Sequence, residues 1–149
     1  MILVIASLSA RLHHGELRPR SGVSVALLLR VIWTGQILFA TTCGNGGYAR
    51  SIDALSTPPP GSSDGFLESE SLDRLGRDYV LSLTASASWG PIDCLGRSTA
   101  TSFSVSAVPK VFGETGRRSF TLAADGVIWY SESAVAPTAP FQLTGKRMN

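Results

Sequence analysis

Residues able to do chemistry are few in this chain and stand far apart. The histidines are His13 and His14, close to Glu16, and the cysteines are Cys43 and Cys94. A Ser-His-Asp or Cys-His nucleophile needs an imidazole anchored within reach of it. The histidines lie in RLHHGELRPRSG, which Pro19 and Gly22 break, so nothing in the pattern anchors them. A metal reading of His13, His14 and Glu16 fits by ligand type. It fails by geometry, because adjacent side chains point apart on either a helix or a strand. Glu68, Glu70 and Asp73 could pair for acid/base work, but FLESESLD reads as a solvated surface turn. The glycine run Gly44-Asn45-Gly46-Gly47 invites a phosphate-loop reading. Phosphates sit where a glycine loop opens a helix, whereas here a helical pattern runs into the glycines, and the spacing fits neither G-x-G-x-x-G nor the Walker pattern. The run reads instead as a helix stop, with Gly44 or Asn45 entering the left-handed region. No catalytic residue, cofactor or metal ligand is assigned, and a non-enzymatic role is expected.

The cysteines show neither a C-x-x-C pair nor zinc-type Cys/His spacing. Two readings stand: buried free thiols, or, in an oxidising compartment, a disulfide whose closed loop would stabilise the fold by about 4 kcal/mol in the chain-entropy model.

With 149 residues the chain has room for one domain and its ends. The hydrophobic share is 44% and the charged share 16%, which argues against wholesale disorder and suits a secreted or envelope protein. A net charge of +2, with Lys and Arg scattered, gives no basic stripe for nucleic acid.

Residues 1–22 read as an irregular N-terminal segment. MILVIASLSA is too short to span a bilayer and lacks the basic start of a secretory signal. The strongest helical pattern is Val23 to Ala40. Val25, Leu28, Leu29, Ile32, Trp33, Gln36, Ile37 and Ala40 recur at spacings of three and four, while Arg30, Thr34 and Thr41 fall on another face. Arg30 near the centre would cost about 2.5–3.5 kcal/mol in a membrane, so this helix is expected on a sheet instead. A short helical turn at Ala49 to Leu55 precedes the proline loop STPPPGSSDG, and FLESESLDRLGRD is expected as a loop with one helical turn. Alternation then predicts strands over Tyr79–Thr84 and Ser102–Ala107, and a hairpin of Phe120–Leu122 and Val127–Tyr130 turning at Asp125-Gly126. Residues 134–149 are expected to lie extended over the surface or to fray. The expected domain, 23–133, is therefore α+β: one long helix packed across about four antiparallel strands. Trp89, Trp129, Tyr79 and Phe103 could stack on a base or sugar, but aromatics at alternating strand positions more often build the core.

The order of these pieces resembles the type IV pilins and the pseudopilins of type II secretion. The resemblance rests on LLLRVIWTGQILFATTCGNGGYARSIDALSTPPPGS, on DYVLSLTASA, and on DCLGRSTATSFSVSAVPKVFGETGRRSFTLAADGVIW, covering roughly Val23 to Tyr130. It implies a structural subunit of a bacterial envelope filament or secretion machine, periplasmic or extracellular, with other pilin-like subunits as partners. It also implies a Cys43–Cys94 bond tying the helix end to the sheet. The basic leader, glycine cleavage site and continuous apolar anchor of that family are not matched in residues 1–22, so a membrane anchor would need a longer N-terminus. The competing expectation is a small secreted binding module that uses exposed Trp89 or Trp129.

Overall fold

Helix α1 spans Ser21–Thr42 in the computed structural model, which describes residues 21–149. The expected irregular segment thus yields its last two residues to the helix. His13, His14, Glu16 and the rest of 1–20 lie outside the described residues. One side of α1 follows a four-three spacing, Val25, Leu29, Ile32, Gln36, Phe39 and Cys43, and every one of these residues is buried. Trp33, Leu28 and Ile37 flank it half-buried. Phe39 had not been placed on this stripe, yet it is among the most buried side chains.

The sheet has five strands in the order β1-β4-β5-β6-β7, all antiparallel: β1 Tyr79–Ala85, β4 Phe103–Pro109, β5 Ser119–Ala123, β6 Ile128–Ser131 and β7 Lys146–Arg147. Its inner face carries Phe103, Val105, Ala107, Phe120, Leu122 and Ile128, which form one core with Val25, Leu29, Ile32 and Phe39 of α1. Helix on sheet is the observed architecture. Trp33 fixes the contact by donating its indole N–H to the Ala124 carbonyl at 3.1 Å, in the turn between β5 and β6. That turn is the expected Asp125-Gly126 hairpin. Gly126 takes φ 84° and lies beneath the Trp33 ring, where a Cβ would come within 2.9 Å of the indole.

Four differences from expectation have identifiable causes. The sheet has five strands rather than four, and a separate ribbon, β2 Trp89–Ile92 with β3 Ser98–Ala100, stands beside it. Its strands of four and three residues are too short for alternation to show. The segment expected as a loop with one turn forms α3, Ser69–Asp78, because Leu72 and Leu75 at helical spacing find α1 as a partner. The short turn near 49–55, by contrast, is present as expected: it is α2, Ile52–Ser56, capped by the Ser51 hydroxyl accepting from the Ala54 N–H. Residues 134–149, expected extended or frayed, contain α4 Phe141–Thr144 and β7, and the chain ahead of them lies across the outer face of β5. There Ser119 and Thr121 donate to the carbonyls of Ser133 and Pro137, and Phe141 stacks on Trp129 at 5.7 Å. No periodicity announces these contacts, since the hydrogen bonds run from side chain to backbone and the stack joins two separate segments.

Candidate functional site

Chemistry is held at the end of α1, where the chain must turn from the helix into the ribbon. The last turn closes with Gly44 N–H on the Phe39 carbonyl and Gly46 N–H on the Ala40 carbonyl. Of the two residues expected in the left-handed region it is Asn45 that enters it, at φ 51°, followed by Gly46 at 92°. Asn45 then donates its amide to the Ile92 carbonyl at 2.7 Å, across to β2. Gly44 and Gly47 serve close approach rather than angle: a Cβ at Gly44 would strike the Phe39 ring, and one at Gly47 would strike Thr99 of β3. Past the glycines, Tyr48 pairs with Ala100 through two backbone hydrogen bonds of 2.8 and 2.9 Å and extends the ribbon.

Cys43 and Cys94 are bonded, with Cα atoms 4.8 Å apart. Beside the bond the Cys94 N–H donates to the Cys43 carbonyl at 2.8 Å. Cys94 sits in the turn of the ribbon, so the bond ties the helix end to β2–β3; the expected tie to the main sheet is corrected in that respect. Two turns before Cys43 in α1, the Gln36 amide meets the backbone of Ala49 twice, accepting from its N–H at 2.8 Å and donating to its carbonyl at 2.9 Å. Both residues are fully buried. Gln36 was legible only as a member of the apolar stripe; its role as a clamp on the returning chain was not.

The ribbon turn is organised by Asp93. Its carboxylate accepts from the N–H groups of Leu95 and Arg97 at 2.9 and 2.8 Å and from the Arg97 guanidinium at 2.8 Å. Burial by itself pushes this carboxyl up, yet the Arg97 N–H, its guanidinium, the Leu95 N–H and the Arg97 charge together hold it below the ordinary 3.8. A depressed carboxyl stabilises the fold above its unfolded pKa, and that contribution disappears as pH falls through the folded value. Asp93→Asn is therefore expected to lower the urea midpoint at pH 7, with the gap to the parent closing once the pH is well under 3.8. A gap that persists unchanged in acid contradicts the ion-pair account.

The other candidates are not brought together. Glu70 pairs with Arg74 at 2.6 Å on the exposed side of α3, and Glu68 and Asp73 are exposed, so the acids form a solvated helix face. Tyr79 and Phe103 are buried core residues. Trp89, 68% exposed, lies on the ribbon with the Arg50 guanidinium 4.2 Å above its ring, while Trp129 lies under Phe141 on the outer sheet face. Neither belongs to the core that α1 shares with the sheet. Among the described residues no group of three His, Cys, Asp or Glu is placed to hold a metal. An open cleft of about 600 Å³ is lined by Phe112, Gly113, Arg117, Arg118 and Glu132, a set with no nucleophile or base paired for catalysis.

No protein family, curated protein or solved structure matches the chain.

What remains is the far side of α1. Leu27, Val31, Thr34, Leu38 and Thr41 follow the same four-three spacing as the buried seam, displaced by two residues and therefore about 200° around the helix. All five are exposed, Leu27 at 60%, Val31 at 42% and Leu38 at 49%. The two threonines turn their hydroxyls back to the helix, onto the carbonyls of Arg30 and Ile37 at 3.0 Å, which leaves their methyl groups outermost. Arg30 and Thr34, read as a polar stripe, thus share their face with three large aliphatic side chains. Sequence inspection missed this seam because it took the polar residues on that face as its whole character. By length and composition Val25–Thr42 is also apolar enough to cross a membrane.

Proposed function

We propose that the chain is a non-enzymatic structural subunit of the type IV pilin or pseudopilin kind, working in a bacterial envelope by helix packing and surface display. The observation that carries this reading is the double-faced α1. One heptad-spaced seam is spent on the sheet, and an opposite one, Leu27-Val31-Thr34-Leu38-Thr41, is left apolar and uncovered. Four-three spacing is the pattern by which one helix presents knobs to another. The clasp of Cys43–Cys94, Asn45 and Gln36 ties the helix end to the ribbon and to the returning chain at Ala49, as a subunit that transmits load through its helix would require. The sheet's outer side, the proline loop at 57–61 and the C-terminal segment would then form the displayed surface. The binding-module alternative, using exposed Trp89 or Trp129, retains Trp89 at 68% exposure, but the two rings lie on different elements with different neighbours and form no shared patch.

A charge placed in the outer seam tests the reading. Leu38→Glu in the full chain is expected to leave thermal stability within about 0.5 kcal/mol, since the side chain is exposed and belongs to no core cluster among the described residues. The same change should abolish the high-mass assemblies extracted from the envelope in mild detergent, leaving species no larger than a dimer. Assemblies of unchanged size would count against the proposal.

A further inference from the structure

The hydrogen-bond parity of β1 shows which of its backbone groups lack partners. Lys110 N–H bonds the Asp78 carbonyl and Ser86 N–H bonds the Ser102 carbonyl, each at 2.9 Å, at the two ends of an uninterrupted seven-pair ladder with β4. Even-numbered residues of β1 therefore aim their N–H and C=O groups at β4, and odd-numbered ones aim theirs outward. Tyr79 N–H is used, since it caps α3 on the Leu75 carbonyl. The N–H and C=O groups of Leu81, Leu83 and Ala85 have no hydrogen-bond partner among the described residues.

Among the described residues that edge is also open and unguarded. On β4 the inward residues Val105 and Ala107 are fully buried, whereas Leu81 and Leu83, their ladder partners on the same face, are only half-buried. Cover therefore gives out at β1. Natural edge strands are blunted by Lys, Pro, bulges or short length. YVLSLTA has none of these devices.

We infer that the free edge of β1 pairs antiparallel with β1 of a second copy of this chain, in the register that sets Leu83 opposite Leu83. With pairing confined to Tyr79–Ala85, only this register satisfies all the free groups. Leu83 exchanges two bonds with its counterpart, and Leu81 exchanges two with Ala85 on each side. Shifting the centre to Ser82 would set Ala85 against Tyr79, whose N–H is already taken, and strand the Ala85 carbonyl. The chosen register also places Ser82 against Thr84, a favourable polar pair, and opposes no like charges. The contact is two-fold, closes at two copies, and is independent of the α1 seam.

The test uses the full chain. Ser82→Cys and Thr84→Cys variants are mixed under mild oxidation. Covalent dimers are expected from the mixture and not from either variant alone, because Ser82 faces Thr84 and neither faces itself. Equal yields from the single variants, or none from the mixture, would overturn the proposal. Leu83→Pro provides a second readout: its lost N–H points away from β4, so the internal ladder survives. It removes the two central intersubunit bonds and should weaken dimerisation in sedimentation by about thirtyfold. A folded Leu83→Pro chain that dimerises as tightly as the parent would also overturn it.

Discussion

Replacing both cysteines, as Cys43→Ala with Cys94→Ala, is expected to destabilise the protein by about 4 kcal/mol and to lower its melting temperature by roughly 10–20 °C. The bond closes a loop across a separation of 51 residues, so its loss releases a large conformational freedom in the unfolded chain. Native contacts modify how that loss is distributed. The ribbon is held to the rest by the disulfide, by the Asn45 amide on Ile92, by the Tyr48–Ala100 pair and by Thr99 packed on Gly47. Towards the five-stranded sheet it continues the β1–β4 ladder through Ser86 N–H on the Ser102 carbonyl at 2.9 Å and Thr101 N–H on the Ser88 carbonyl at 3.3 Å. Without the bond, amides of 89–100 should exchange with solvent well ahead of those in β4 and β5. A reduced protein that keeps its stability within about 1 kcal/mol would show that the other contacts suffice and that the clasp is not what the chemistry suggests.

Gln36→Leu is the second large effect, expected at about 2–5 kcal/mol. Leucine has a similar volume, so the change creates little cavity. It does strand the N–H and the carbonyl of Ala49, both buried, and each orphaned group costs about 1–3 kcal/mol. Gln36→Glu separates hydrogen bonding from size. A protonated glutamic acid can accept from the Ala49 N–H and donate to its carbonyl, whereas the carboxylate cannot donate. Burial raises the folded pKa of such a group above the unfolded value of about 4.3, so its destabilisation should grow as pH rises through that range and shrink on acidification. Urea unfolding at pH 4 and pH 7 checks the sign. A Gln36→Leu protein as stable as the parent would mean that water replaces the amide.

How much of this was legible in the sequence depends on which physical signal each piece leaves. The buried seam of α1 could be read from spacing, and so could β1, β4 and the Asp125-Gly126 hairpin, because alternation and a turn dipeptide are local. The ribbon was invisible: Trp89–Ile92 contains Gly90 and Pro91, which lower strand propensity, and its stability comes from Cys94, Asp93 and Thr99 rather than from an apolar face. The covering of the outer sheet face was hidden for a related reason. Thr121 donating to Pro137 and Ser119 to Ser133 are polar contacts between distant segments, and Ser and Thr at alternating positions read as a wet side. The second seam of α1 shows the converse. Leu27, Val31 and Leu38 were visible, but Arg30 and Thr34 on the same face suggested water, and only solved burial distinguishes the side that meets the sheet from the side that meets nothing.

The proposed subunit reading rests on the clasp at the end of α1 and on the exposed second seam of that helix. The measurement that bears on this most directly is a photo-cross-linking side chain placed at Val31 in the full chain, expressed in a bacterial envelope, with the adducts mapped by mass spectrometry. The account predicts adducts to the corresponding helix of another copy or of a similar small subunit, lost when Leu38→Glu is added. Adducts confined to lipid, or to the subunit's own sheet, would contradict it.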